Sequence, residues 1–186
     1  ERSFCLASST ARHPPTRPSS WSGAIDQAAA GAMSGERARG MAAAQTPKRL
    51  MLVAAGNVIG GSLEEIEAGA RIEDPAQAWN ALTIGGVTAK TTVEPGAARL
   101  RPVAAANTVS PYSADTVGLP TDLLPMKPEV MFEAGNMTVD AANWCDLHPA
   151  LSLLAAGRDV ESEPLSSFWA TSAAVAVGGH FLGRLK

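Results

Sequence analysis

Continuous apolar runs and one helical apolar pattern predict the beginning of an α/β fold. Residues 3–7 and 49–55 are short and apolar at nearly every position, as in strands that a parallel sheet buries on both faces. Between them, after a Pro-Ser-Ser start signal, an apolar face recurs at helical spacing: Trp21, Ala24, Ile25, Ala28 and Ala29. The order strand, helix, strand predicts a βαβ unit.

The rest of the chain continues this pattern less regularly. Residues 81–88 and 127–133 are apolar enough to predict two more strands, the second entered through a proline. Residues 91–107 read as a loop or hairpin. Residues 141–167 read as irregular, with one helical turn at 151–155. A final Ala-rich helix is predicted to start near Thr171 and to run at least to Leu185.

Composition narrows the classes of function. The chain has 186 residues and 46% apolar content, which predicts one domain over residues 1–186. A formal charge of −3 gives no electrostatic case for nucleic acid, and no apolar run is long enough for a membrane span. Cys5 and Cys145 lack metal-ligand spacing and are expected to be two buried free thiols, although a disulfide stays open. We therefore expect no metal and no cofactor.

Two residues are candidates for chemistry. Ser172 falls where the last helix is predicted to begin, among unpaired backbone N–H groups at the positive end of the helix dipole. Such a place suits a nucleophile beside which negative charge develops, while the structural alternative is a helix cap. Asn57 follows the buried strand 49–55, at the strand end where α/β sheets gather functional groups. Its structural alternative is a turn residue that tolerates left-handed backbone.

Five segments in one order resemble the subtilisin-like serine proteases, the subtilase family. They are residues 54–57 (AAGN), 80–87 (NALTIGGV), 110–113 (SPYS), 127–130 (KPEV) and 170–174 (ATSAA). The resemblance implies a parallel-sheet, three-layer α/β subtilisin-like domain that is incomplete at its N-terminus. It also implies serine endopeptidase activity on peptide or protein substrates in a complete parent protein.

The resemblance assigns roles to both candidates. Ser172 would attack the peptide carbonyl to form an acyl-enzyme. The Ser172 N–H and the Asn57 side-chain amide would hydrogen-bond the tetrahedral oxyanion. One departure concerns Ala170, since the family usually has glycine two residues before the nucleophile, and a Cβ there would crowd an unusual backbone angle.

A larger departure is the catalytic pair of aspartate and histidine. In the family these residues belong to segments before the strand that resembles residues 3–7. His13 and His148 precede prolines in loops, and His180 lies two helical turns beyond Ser172, too far to take its proton. We therefore expect the chain alone not to hydrolyse peptides, and a substrate to bind as an added strand beside residues 4–8.

Two other functions compete with the protease. A pseudoprotease or peptide-binding α/β module would keep the sheet without the catalytic residues. A nucleotide-binding domain would need a phosphate loop, and Gly60-Gly61 lacks both the P-loop and the dinucleotide spacing. The chain looks most like a divergent bacterial branch sometimes found beside ATPases, so an ATPase partner and a cytoplasmic location are the expectations.

Overall fold

A computed structural model of the chain describes residues 2–10, 17–33, 47–94, 99–119, 122 and 124–185. Within them the helices are α1 (Ser20–Ala29), α2 (Leu63–Glu67) and α3 (Ala170–Arg184). The strands are β1 (Arg2–Leu6), β2 (Arg49–Ala54), β3 (Gly61–Ser62), β4 (Ala70–Arg71), β5 (Leu82–Thr88), β6 (Arg101–Pro102), β7 (Thr108–Val109), β8 (Ala114–Asp115), β9 (Val130–Glu133), β10 (Met137–Val139), β11 (Trp144–Leu147), β12 (Leu153–Asp159) and β13 (Glu163–Phe168).

The main sheet is parallel at its centre. β2 pairs with β1 on one side and with β5 on the other, β9 joins the far edge of β5, and all three pairings are parallel. The short β7 adds to the end of β5 in the antiparallel sense. The strand–helix–strand unit predicted from residues 3–55 is confirmed, and so are the strands predicted at 81–88 and 127–133.

Helices cover both faces of this sheet because successive strand residues point to opposite sides. Met51, Val53 and Ala55 pack in one core cluster with Ile25 and Ala29 of α1. On the other face, Leu52 and Ala54 pack in a second cluster with Ala174 and Val175 of α3. The result is a helix–sheet–helix sandwich, so the predicted three-layer α/β fold is confirmed.

The segment before α3 is more regular than the sequence indicates. The prediction of irregular structure over 141–167 is wrong, because β11 pairs with β10 and β3, and β12 pairs with β13 in an antiparallel hairpin. The helical turn predicted at 151–155 is also wrong in place, since a short 3-10 turn occupies Pro149–Leu151. The hairpin is not evident from the sequence because Leu154 and Leu165 are exposed apolar residues, which break the apolar–polar alternation of a half-buried strand.

The two cysteines differ in their surroundings. Cys145 is buried, and burial raises the pKa of its thiol. Cys5 is a free thiol but exposed, so the expectation that both would be buried is wrong for Cys5. In the part of the chain that the structure describes, no helix is both long and apolar enough to cross a membrane.

Candidate active site

The first part of the site is the turn that ends β2. Gly56 adopts a φ of +107°, and Asn57 is not among the residues with positive φ. The left-handed conformation therefore belongs to Gly56, which lacks the Cβ that would oppose it. Asn57 therefore ends β2 without the left-handed backbone that its structural alternative allowed.

The second part is the turn that leads from β13 into α3. Ala170 adopts a φ of +67°, and its N–H donates to the Ala134 carbonyl at 2.8 Å. The Cβ of Ala170 thus stands at a position whose backbone favours glycine, as the departure from the family pattern led us to expect. The chain reverses sharply here, which brings residues 171 and 172 to the start of the helix.

Thr171 joins the two turns. Its backbone N–H donates to Asn57 Oδ1 at 2.8 Å, and its hydroxyl lies 2.6 Å from Asn57 Oδ1 and 3.1 Å from the Gly56 carbonyl oxygen. Thr171 is fully buried. A hydroxyl and a backbone amide from one residue therefore fix the start of α3 against the end of β2, across 114 positions of sequence.

These contacts orient the Asn57 side chain. An N–H donor must face the carbonyl oxygen of the amide, so the bond from the Thr171 N–H assigns Oδ1 and Nδ2 without ambiguity. Oδ1 accepts from the N–H and the hydroxyl of Thr171, and Nδ2 has no acceptor among the described residues. Asn57 is half-buried, so its NH₂ group is left as an unpaired donor near the helix start.

Ser172 lies at the third position of α3 and is half-buried. It does not cap the helix, because Trp169 is the N-cap residue and makes no side-chain cap bond. The Ser172 hydroxyl has no hydrogen-bond partner within the described ranges, and its N–H, in the first turn, has no acceptor there either. The helix-cap alternative for Ser172 is therefore wrong.

A second layer of contacts supports the Asn57 turn. The Val58 N–H donates to the Tyr112 carbonyl at 3.1 Å, and the Ala114 N–H donates to the Gly56 carbonyl at 3.3 Å. Ser113, which pairs with Asn57 in an isolated bridge, accepts a bond at its hydroxyl from the Gly86 N–H at 3.0 Å. Three segments singled out in the sequence, at 54–57, 80–87 and 110–113, thus meet at one turn.

Tyr112 supports this second layer of contacts from the protein core. Its ring is fully buried, and burial raises the pKa of its phenol, so the side chain stays neutral. The hydroxyl lies 3.4 Å from the Asn136 carbonyl oxygen. Asn136 itself is buried and uses both ends of its amide on backbone groups of residues 90, 104 and 137. Tyr112 and Asn136, behind the site, therefore have structural roles.

Neither of the two histidines that the structure describes hydrogen-bonds Ser172. His180 is exposed and lies eight positions further along α3, about 12 Å at 1.5 Å of rise per residue. His148 is the N-cap of the 3-10 turn, where its Nδ1 accepts from the Ala150 N–H at 3.3 Å. His13 lies outside the described residues. In the described ranges, moreover, no group of three or more His, Cys, Asp or Glu residues is arranged to hold a metal ion.

Sequence reasoning missed two residues of this region. Thr171 lies beside Ser172, but its role depends on a contact with a distant turn. Glu73 is the second such residue. Its side chain packs on Gly56, where it is brought by a backbone bond from the Glu73 N–H to the Ala55 carbonyl at 3.0 Å. No local pattern in the sequence signals either contact.

In this three-layer α/β fold a serine lies in the first turn of a helix, next to the threonine that fixes an asparagine amide, an arrangement typical of serine hydrolases. A family comparison agrees with this class. The model of the subtilase family (Peptidase_S8) matches residues 3–186, and the chain belongs to that family. A search of curated proteins gave no match.

Proposed function

We propose that this chain carries the nucleophile and the oxyanion site of a serine endopeptidase. Ser172 attacks the carbonyl carbon of a peptide bond and forms an acyl-enzyme, which water then hydrolyses. The Asn57 NH₂ and the Ser172 N–H donate to the oxygen that becomes negative in the tetrahedral intermediate. Membership of the subtilase family supports peptidase chemistry on a protein or peptide substrate.

The observation that carries this proposal is the orientation of the Asn57 amide. Asn136, which is fully buried, uses both ends of its amide on backbone groups. Asn57 uses its oxygen alone, on two donors of Thr171, the residue before Ser172, and its NH₂ donates to no described residue. A donor fixed before the reaction needs no reorganisation when negative charge develops.

The general base is a separate part of the proposal. Neither described histidine hydrogen-bonds Ser172, and the proposal takes the base and its orienting acid to lie outside the described residues of this chain. In the chain alone the Ser172 hydroxyl then has an ordinary alcohol's low nucleophilicity. We infer that this chain by itself labels slowly with reagents that require an activated serine.

A fluorophosphonate probe tests both statements. We expect weak labelling of the chain alone and strong labelling of a complete protein that supplies histidine and aspartate, with the label on Ser172. The Ser172→Ala variant of that complete protein should not label, and Ser166→Ala, which removes a serine from strand β13, should label normally. Strong labelling of the chain alone would show that it contains its own base. An unlabelled complete protein would favour a peptide-binding module without catalysis.

A further inference from the structure

The peptide group between Ala134 and Gly135 connects the end of β9 to the start of α3. Its carbonyl oxygen accepts from the Ala170 N–H at 2.8 Å, and its own N–H donates to Oε1 of Glu133 at 2.9 Å. This peptide bond is trans, so the group is planar and its N–H and C=O point in opposite directions. Whatever holds the N–H therefore also sets the direction of the carbonyl that receives Ala170.

Glu133 holds this peptide group from the main sheet. Its second oxygen, Oε2, accepts from the Ala89 N–H at 2.8 Å, so each carboxylate oxygen has one backbone donor. Ala89 comes directly after β5, the strand with which β9 pairs. Glu133 is half-buried, and hydrogen bonds to an ionised group are about twice as strong as those between neutral groups. The carboxylate thus ties the peptide group to the end of β5.

The start of α3 depends on two bonds to other parts of the chain. The Thr171 N–H donates to Asn57 Oδ1, and the Ala170 N–H donates to the Ala134 carbonyl. Ala170 is buried and has a φ of +67°, which an alanine keeps only where its surroundings impose it. If the Ala134 carbonyl turned away, a buried N–H would lose its acceptor and the backbone at Ala170 would lose that constraint.

We propose that Glu133 is a positioning residue for Ser172. It orients the peptide group after Ala134, whose carbonyl fixes the backbone at Ala170 and hence the direction of Ser172 in the first turn of α3. The effect on catalysis rests on the proposed function, in which Ser172 is the nucleophile, whereas the effect on the backbone at Ala170 does not. Glu133 acts through the backbone and is not itself a catalytic residue.

Amide hydrogen exchange of the isotope-labelled chain, followed by NMR, measures the effect on the backbone. Glu133→Ala removes both bonds, and Glu133→Gln keeps an acceptor for one of the two N–H groups. We expect the Ala170 N–H to exchange about tenfold faster in Glu133→Ala, the factor of one charged hydrogen bond, and by a smaller factor in Glu133→Gln. The Ala55 N–H, which donates to the Ile84 carbonyl at 3.0 Å in the main sheet, should keep its rate.

Asp140→Asn is the matched control. Oδ1 of Asp140 accepts from the N–H groups of Ala142 and Trp144, both at 2.8 Å, in the turn between β10 and β11. Asparagine keeps that oxygen and removes one negative charge, so exchange at Ala170 should not change. An unchanged Ala170 rate in both Glu133 variants overturns the proposal. Equal acceleration at Ala170 and Ala55 does so too, because Glu133 would then stabilise only the fold as a whole.

Turnover by a complete protein separates this inference from the proposed function. In Glu133→Ala, kcat per active site, counted with the fluorophosphonate probe, should fall about tenfold or more with little change in KM, since a misplaced nucleophile slows the reaction rather than substrate binding. An unchanged kcat per site would leave the peptidase standing and contradict the positioning of Ser172. A complete protein that cleaves no peptide would contradict the proposed function, and exchange at Ala170 would still decide whether Glu133 builds the turn.

Discussion

The two turns that form the candidate site use the same kind of backbone with different residues. The turn at residues 55–57 is called the oxyanion turn after its proposed role. There, Gly56 adopts a positive φ with no Cβ to oppose it, and the space beside its Cα is filled by Glu73. The turn at residues 169–172 is called the nucleophile turn, also after its proposed role. There, Ala170 adopts a positive φ and is buried together with its Cβ. Left-handed backbone costs a non-glycine residue about 1–2 kcal/mol, so one turn is relaxed and the other is strained.

This difference shows what each turn requires. The oxyanion turn needs the absence of a side chain, because another side chain occupies that volume. The nucleophile turn needs the backbone angle but also gains from the methyl group, which packs in a core cluster with Met137, Cys145 and Tyr112. Packing of the methyl group therefore offsets the backbone strain at Ala170. A methyl group at position 56 would find its space already filled and would gain no such packing.

The largest expected effect comes from giving the oxyanion turn a side chain. In Gly56→Ala the new Cβ would lie 2.5 Å from Glu73 Cγ and would add the strain of a positive φ. We expect a loss of about 3 kcal/mol in the free energy of unfolding, from overpacking and strain together. Thermal unfolding should show the melting temperature falling by about 6–12 °C.

Gly69→Ala is the matched control for that variant. Gly69 also has a positive φ, of +71°, but no atom lies within 4 Å of the added Cβ. Only the strain remains, about 1 kcal/mol. Equal destabilisation by the two substitutions would mean that the contact between Gly56 and Glu73 is unimportant.

An intermediate effect is expected where the two turns are joined. Thr171→Val keeps the shape of the side chain but removes the hydroxyl that reaches Asn57 and Gly56. The expected loss is about 1–2 kcal/mol, that of a buried hydrogen bond. Thr171→Ser, which keeps the hydroxyl, should retain most of that stability. Chemical denaturation of the three proteins measures the difference, and a valine variant as stable as the parent would contradict the link.

The smallest effect is expected at Ala170. In Ala170→Gly, relief of the left-handed strain opposes the lost methyl packing and the greater freedom of glycine in the unfolded chain. The net change should be within about 0.5 kcal/mol. Ala176→Gly, an exposed position on the same helix, carries no strain and should cost about 1 kcal/mol. An Ala170→Gly variant that loses more stability than Ala176→Gly would show that the nucleophile turn is not strained.

Much of the fold is predictable from the sequence because its buried strands are continuous apolar runs. The runs at 49–55 and 81–88 give β2 and β5, and a Pro-Ser-Ser start gives α1, where Ser19 accepts from the Trp21 N–H at 2.9 Å. The β12–β13 hairpin was missed because most of it is exposed. An exposed strand needs no apolar pattern, so its sequence carries little sign of it.

The residues of the candidate site are likewise only partly predictable from the sequence. Ser172 and Asn57 are predictable because each occupies an end of an apolar element, and such ends carry function in α/β proteins. Their catalytic roles stay predictions. Thr171 and Glu73 were not predictable, since both act through contacts between segments far apart in sequence. Local patterns reveal which residues stand at element ends, whereas long-range hydrogen bonds decide how those residues point.

In the proposed function the Asn57 NH₂ is a catalytic donor while its oxygen holds Thr171. Asn57→Asp tests it directly, because the carboxylate still accepts from Thr171 but cannot donate to an oxyanion. We measure kcat for peptide hydrolysis in the complete protein together with the melting temperature. We expect kcat to fall by about 10²–10³-fold or more, with little change in melting temperature. An unchanged kcat in a folded Asn57→Asp protein would contradict it.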